Sequence, residues 1–493
     1  MRHIEILLYL LIKSFLKIKL TNLCKKIEED FFMRTLEHKY LGTAEFYKRA
    51  VKIAIPVMLQ LLIQNLVSLI DNFMVAGLGD VKMSGVNVAG QINFIFLILV
   101  NTVCLSAGIF MSQFKGADDK EGMRQTLRFK IIVTGIFGLA YTVVSFIAPR
   151  NLFGVMVTIN KDAVQILDQA QIYSRSVALS WFFMVFAQSF ASSLRDIEIV
   201  RVPLVISSIA TLVNTFFNWL LIYGNLGAPR LEVAGAGYAT VIARGVELAL
   251  FIAYCVAKRP PFMFNPFKIF FIKFKLFGNI FAKSLMILYS ELFWAFSETF
   301  SNALYNTRGG AEIVSGMAGG FAVANLFFIC FSGIVTAASV IMGQELGAGK
   351  LEQARKYKNW VLSGATIFGA IFMLIGFGTT SIVPFVFRNL TFDAQEIAKH
   401  LIIVAAAYLP LWAFLNGQYA VSRTGGDTTM GVICDTVANV LFIGGMVILT
   451  FLTKLGPVEM YAIVKLSDIA KTIIAYFWLK KERWLVNLTV AEK

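Results

Sequence analysis

Apolar residues along this chain fall into long unbroken runs separated by short polar punctuation. Twelve such runs stand at about 50–76, 86–114, 127–148, 165–193, 201–223, 234–257, 282–307, 316–344, 359–385, 399–422, 429–452 and 456–479. Each is long enough to cross a hydrocarbon core of about 30 Å. Backbone N–H and C=O groups in lipid must pair within their own segment, so the runs predict helices. The strict alternation of a transmembrane barrel is absent.

The punctuation repeats. Met111-Ser-Gln-Phe-Lys-Gly-Ala-Asp-Asp-Lys-Glu-Gly-Met-Arg124 returns as Met342-Gly-Gln-Glu-Leu-Gly-Ala-Gly-Lys-Leu-Glu-Gln-Ala-Arg355, with six of fourteen positions identical. The offset of 231 residues holds without gaps over the first two runs of each half, bringing Gly79 to Gly310, Gly85 to Gly316 and Gln113 to Gln344. Later it becomes 228, with Arg195 opposite Arg423. Six runs make each half, an even number, so both halves enter the membrane from the same side. The expected fold is an all-α integral membrane protein: twelve transmembrane helices in two six-helix bundles related by a parallel pseudo-two-fold repeat, with a site between the repeats. The bundles are placed at 46–257 and 282–480. A Pro- and Lys-rich linker, 258–281, joins them, and a tail, 481–493, follows.

Composition agrees: 57% of residues are hydrophobic and 15% charged, and mean hydropathy is +0.71, outside the range of ordinary soluble domains. The net charge of +15 suggests a polyanionic partner until its placement is read. Connections on the side of the N-terminus hold eighteen Lys and Arg, among them Lys115, Lys120, Arg124, Arg195 and Lys258. Those on the other side hold eight, such as Lys82, Arg150, Lys161 and Arg230. By the positive-inside rule both termini are cytoplasmic and the charge reports orientation, not nucleic acid. A cell (inner) membrane protein working as a monomer is expected.

Residues 1–45 differ from the rest. The apolar stretch Leu7–Leu11 is too short to span, and no small-residue cleavage site follows it. It reads either as a basic amphipathic helix on the inner leaflet or, the favoured alternative, as upstream of a true start at Met33. Cys24, Cys104, Cys255, Cys330 and Cys434 have neither metal nor redox spacing and read as small packing residues. No nucleotide-binding segment occurs, and His3, His38 and His400 lie outside the runs. No cofactor is expected.

A carboxylate inside a membrane helix costs roughly 3 kcal/mol even on insertion scales. Asp71 lies deep in the first span, among Gln64, Asn65, Ser68 and Asn72; Glu291 lies in the seventh, beside Tyr289 and Ser290. Neither has an opposite charge within one turn, so both are candidates for a coupling Na+ or H+, which oxygen ligands can hold at modest cost. Asn214 and Asn218, one turn apart in the fifth span, lie at the depth of Asp71 and form either a polar cluster with it or interhelical hydrogen bonds. Asp435, in the eleventh span, has no clear preference between coupling and structure. Glu298, two turns beyond Glu291, is either its second member or faces the outer vestibule. Two acids read as local ion pairs, Glu247 with Arg244 and Asp468 with Lys471. Thr424-Gly-Gly-Asp-Thr428 reads as a turn. The repeat does not preserve the acids. Asp71 meets Asn302 and Glu291 meets Gln60, so the two differ by about 16 Å in depth.

Several segments resemble the multidrug and toxic compound extrusion (MATE) family: Ala54-Ile-Pro-Val-Met58, Asp71-Asn-Phe-Met-Val-Ala-Gly-Leu-Gly79, Ala107-Gly-Ile-Phe-Met-Ser-Gln113, Val213-Asn-Thr-Phe-Phe-Asn-Trp-Leu-Leu-Ile-Tyr-Gly224, Val233-Ala-Gly-Ala-Gly-Tyr-Ala-Thr240, Ser290-Glu-Leu-Phe-Trp294 and Arg423-Thr-Gly-Gly-Asp-Thr428. They run in family order from about residue 45 to 480. The resemblance implies a V-shaped pair of bundles around a central cavity, and export of lipophilic, often cationic organic compounds in exchange for Na+ or H+. It implies that Asp71 serves the cation site of the first bundle and Glu291 that of the second. Gln64, Asn65, Trp294 and Glu298 are the expected cavity residues. The chain departs from the family pattern where some members carry an Asp at the position of Asn218 and an acid on the tenth helix; Leu401–Ser422 has none. The segment 194–201 lacks the usual Gly-containing turn.

Two other readings compete. A lipid-linked precursor flippase would present a cationic cavity for a pyrophosphate; Arg175 and Lys52 are the only unpaired bases within or at the edge of the first six spans. A membrane enzyme would cluster His, Cys or acids in the spans, and these do not.

Overall fold

The computed structural model describes residues 40–150, 153 and 162–491. The readings of the leader up to residue 39, the Met33 start and the position of Lys161 lie outside the described residues. Every regular element among those described is helical. The long helices are α1 (Ala44–Ala76), α2 (Asp80–Gly116), α3 (Lys120–Ile147), α4 (Ala163–Asp196), α5 (Arg201–Tyr223) and α6 (Glu232–Lys258). After the linker come α7 (Phe274–Tyr305), α8 (Ala311–Gly347), α9 (Leu351–Thr379), α10 (Phe392–Thr424) and α11 (Thr429–Leu452). These account for eleven helices long and apolar enough to span a membrane.

The twelfth apolar run departs from expectation. It forms two helices, α12 (Pro457–Val464) and α13 (Ser467–Lys480). At the junction the α-pattern gives way to tighter bonds, Leu466 N to Ile463 O at 3.1 Å and Asp468 N to Lys465 O at 3.0 Å. Neither glycine nor proline stands there. The break falls at Lys465, whose ammonium turns inward to Glu298, so a tertiary ion pair and not local propensity coincides with it.

Local chemistry starts and stops the helices. Thr43 accepts from Phe46 N, Asp119 from Gly122 N and Thr391 from Ala394 N, each capping an otherwise orphaned first turn. Gly224 ends α5 in the left-handed conformation (φ 74°), which glycine adopts without a Cβ penalty. The linker is shorter than expected because α7 begins at Phe274. It is pinned to α3: Arg124 donates to Met263 O at 3.1 Å and Gln125 to Phe271 O at 2.8 Å, with Phe262 fully buried.

In the first half α4 packs on α2, α3 and α6, and α5 packs on α1 and α6. In the second half α10 packs on α8, α9 and α13, and α11 on α7 and α13. Each pairing thus recurs six elements later, with α12 and α13 together standing in for α6. The halves meet through α1 with α8, α2 with α7, and α2 with α8.

This junction is closed at one end. Gly116 and Gly347, the last residues of α2 and α8, sit reciprocally: a Cβ on Gly116 would overlap the Gln344 backbone, and one on Gly347 the Gln113 backbone. Gln113 donates to Thr424 O at 2.8 Å and accepts from Leu488 N at 2.8 Å, while Asn487 donates to Gly347 O at 3.2 Å. Arg49 pairs with Glu198 and donates to Gln344 at 2.8 Å. The repeated Met-x-Gln segments, read from sequence as markers of duplication, are therefore the seam between the halves. Toward the Asp71 end Leu66, Leu69 and Phe73 on α1 and Phe94 on α2 are exposed.

A buried lysine ties α3 to α4 near the closed end. Lys130 is completely buried and reaches Asp196 at 2.7 Å, Ser192 at 2.9 Å and Ser193 at 3.2 Å. Lys130→Met leaves Asp196 without its partner and is expected to cost about 3–5 kcal/mol, with Lys130→Met/Asp196→Leu recovering most of it. Thermal midpoints of the purified variants check this; a double variant no more stable than the single one rejects it.

Candidate functional site

The first acidic site assembles from α1 and α5. Asn214 and Asn218 lie one turn apart and are both buried, which points their amides together at the neighbouring helix. Asn218 Nδ2 donates to Asp71 Oδ1 at 2.6 Å. With its amide nitrogen turned toward the carboxylate, Asn214 donates to Asp71 Oδ2 at 2.8 Å. The structure thus brings Asp71, Asn214 and Asn218 together, the polar cluster of the two alternatives drawn from sequence. Asn218 Oδ1 is buried without a hydrogen-bond partner among the described residues, leaving an oxygen lone pair beside the carboxylate.

Asp71 makes no salt bridge among the described residues. On α6, Arg244 is held by Glu247 at 2.6 Å as the local pair expected. Glu247 begins a chain that sequence reading missed. It accepts from Ser207 at 2.9 Å, Ser207 accepts from Gln60 at 2.9 Å, and Gln60 accepts from Arg195 at 3.3 Å. Gln60, Ser207 and Glu247 are all buried. Gln60 and Ser207 lie eleven residues, about 16 Å, from Asp71 and Asn218 along their helices, so the chain forms a separate layer; only the position of Gln60 opposite Glu291 in the repeat singled it out.

The second half differs in kind, because its acids are matched by bases. Glu291 on α7 accepts from Arg423 at 3.2 Å. Its isolation along the helix is therefore undone by a residue 132 positions away, one that sequence reading assigned to a connection. Arg423 lies 5.2 Å from the Tyr419 ring, and the Tyr419 hydroxyl donates to Asp435 at 2.8 Å. Lys471 bonds Asp435 at 2.5 Å. The expected local pair of Lys471 with Asp468 is thus replaced by one across helices. Asp468 instead accepts from Trp412 Nε1 at 2.8 Å. Glu298 does not join Glu291; it pairs with Lys465. An acid two turns away on its own helix repels, while a base at the α12–α13 break attracts.

Of the expected cavity residues, Gln64 is half-buried, Asn65 exposed and Trp294 exposed, on α1 and α7. At this site the first half offers one half-buried carboxylate among neutral amides. The second offers carboxylates already holding the chain's own cations. Cys104, Cys255, Cys330 and Cys434 are buried and unbridged, as packing residues are.

Comparisons with known proteins agree with this architecture. The MatE family profile matches residues 56–220 and 287–448. The chain is 24% identical over 337 residues, 65% of its length and 68% of the relative's, to the probable multidrug resistance protein NorM of Thermotoga maritima. It is 27% identical over 288 residues, 57% of its length and 61% of the relative's, to the protein of the same name from Halalkalibacterium halodurans. A crystal structure of MATE in complex with MaL6 superposes with a TM-score of 0.79 at 19% identity, covering 91% of this chain and 98% of that one. With the family profile matching both halves and the fold shared along nearly the whole length, the chain belongs to the MatE family of multi-pass membrane transporters.

Proposed function

We propose that the protein exports lipophilic, often cationic organic compounds in exchange for Na+ or H+. It works by alternating access of two six-helix bundles, 46–257 and 282–480, related by a pseudo-two-fold axis along the membrane normal. The observation that carries this reading is Asp71: a half-buried carboxylate in the first half, far from the Gln113 seam, held by Asn218 and Asn214 and outside any described salt bridge. A cation bound there favours one access state and the exported compound favours the other. Glu291 and Asp435 join the coupling only when Arg423 and Lys471 leave them. The names of the relatives, multidrug resistance proteins, support the substrate class. The protein is placed in the cell membrane as a monomer with both termini cytoplasmic, so the Gln113 seam is the inner gate and the structure is closed inward.

Flippase chemistry is less well supported, since Arg423, Lys465 and Lys471, the bases inside the second half, each face a carboxylate. The test is ethidium efflux from proteoliposomes. An imposed Na+ or pH gradient is expected to accelerate it, and the gradient that does so names the coupling ion. Efflux indifferent to both gradients rejects the exchange.

A further inference from the structure

The Lys465 ammonium does more than neutralise Glu298. It lies 4.6 Å from the Phe442 ring centre, 5.4 Å from Tyr461 and 5.9 Å from Trp412. Three aromatic faces and a carboxylate form the surroundings that recognise organic ammonium ions. A second carboxylate stands behind one wall: Asp468 fixes Trp412 through its indole N–H and acts electrostatically on Lys465. Glu298 is thus the carboxylate the ammonium holds, and Asp468 lies behind the Trp412 wall.

Two further observations point to a ligand. Ser301 Oγ and Tyr305 OH, three and seven residues beyond Glu298 on the same face of α7, are buried and have no hydrogen-bond partner among the described residues. Buried polar atoms left unpaired are costly and call for an explanation. Glu298 keeps 23% of its side-chain surface exposed, and Trp294, one turn away on the same face of α7, is exposed, so the carboxylate can be reached from that turn. Lys465 stands at the one break in its span, between α12 and α13, where the side chain can swing without unwinding a continuous helix.

We propose that Glu298 and the rings of Trp412, Phe442 and Tyr461 form a binding site for the ammonium group of the exported compound, and that Lys465 is a tethered stand-in which that group displaces. This deepens the export reading and rests on it for the identity of the ligand. Displacement has a thermodynamic consequence: a resident competitor lowers apparent affinity by the fraction of time it leaves the site open. The displaced ammonium pairs with Asp468 or the unpaired hydroxyls, so no charge is stranded. The compound's apolar body lies along the exposed Trp294 face.

The test uses the full chain in nanodiscs and tetramethylammonium, with tert-butanol as its uncharged counterpart. Lys465→Met retains most of the side-chain volume but removes the competing charge. It is expected to bind tetramethylammonium at least about tenfold more tightly than the unmodified protein and to be stabilised by it against heat, while tert-butanol does neither. Adding Trp412→Leu is expected to reverse the gain. Lys465→Gln is measured in parallel, so that a folding failure of one variant leaves the other to decide. Folded variants that bind no better than the unmodified protein, or a gain that survives Trp412→Leu, overturn the proposal. Failure of the unmodified protein to export ethidium under either gradient strikes the export reading, and leaves the binding comparison standing by itself.

Discussion

Asp71→Asn is expected to lower gradient-driven ethidium export by roughly 5- to 150-fold, the usual range of a coupling free energy between two sites, while the protein stays folded. The substitution preserves the shape of the side chain and one oxygen that can accept from Asn218, now at 2.6 Å from Asp71. It breaks no described salt bridge, and it removes a charge whose partial burial costs free energy. What it deletes is the ability to bind a proton, or a sodium ion with full strength, in one access state and not the other. A ligand without differential affinity shifts nothing, however tightly it binds. The informative measurement separates driven efflux from gradient-free exchange of the same dye across the same proteoliposomes. Driven efflux should collapse while exchange persists. Full gradient-driven efflux from a folded Asp71→Asn protein would falsify the assignment.

The second large effect is expected at the seam. Gly116→Leu or Gly347→Leu places a branched side chain where even a Cβ would overlap the backbone of Gln344 or Gln113. Backbone cannot rotate aside as a flexible side chain can, so the two ends of α2 and α8 must separate. The hydrogen bonds of Gln113 across the seam, to Thr424 and from Leu488, are then lost together. The closed state is disfavoured and the transport cycle stops, although each half keeps its own core. Spin labels on Lys120→Cys and Lys350→Cys, both exposed beside the seam, report the separation directly. The unmodified pair should give a narrow, short distance distribution, and either leucine variant a longer and broader one with export lost. An unchanged distribution together with normal export rules out the seam as a gate.

The Glu291 pairing shows why sequence reading stopped where it did. Within one turn of a helix, spacing decides which side chains can meet, so Glu247 with Arg244 was legible and is found. Lys471 was also within reach of Asp468 along the chain, yet it bonds Asp435 on α11, because the packing of α13 on α11 offers a buried acid already aligned by Tyr419. Local spacing gives the possible partners; the neighbouring helix selects among them. The same limit hid the Arg195–Gln60–Ser207–Glu247 chain, whose members come from four helices and share no sequence pattern.

What the chain determined by itself was the solvent and the helical class. Runs of about twenty apolar residues admit no structure in lipid but the helix, and the scarcity of membrane carboxylates singles out Asp71, Glu291, Glu298 and Asp435. These are properties of single segments, fixed by length, period and transfer free energy. What only the tertiary structure decided was which of those acids is held by a base. Asp71 is left among amides, whereas Glu291, Asp435 and Glu298 meet Arg423, Lys471 and Lys465. A charge in a low-dielectric interior is governed by its neighbours within a few ångströms, and those neighbours come from helices distant in the chain.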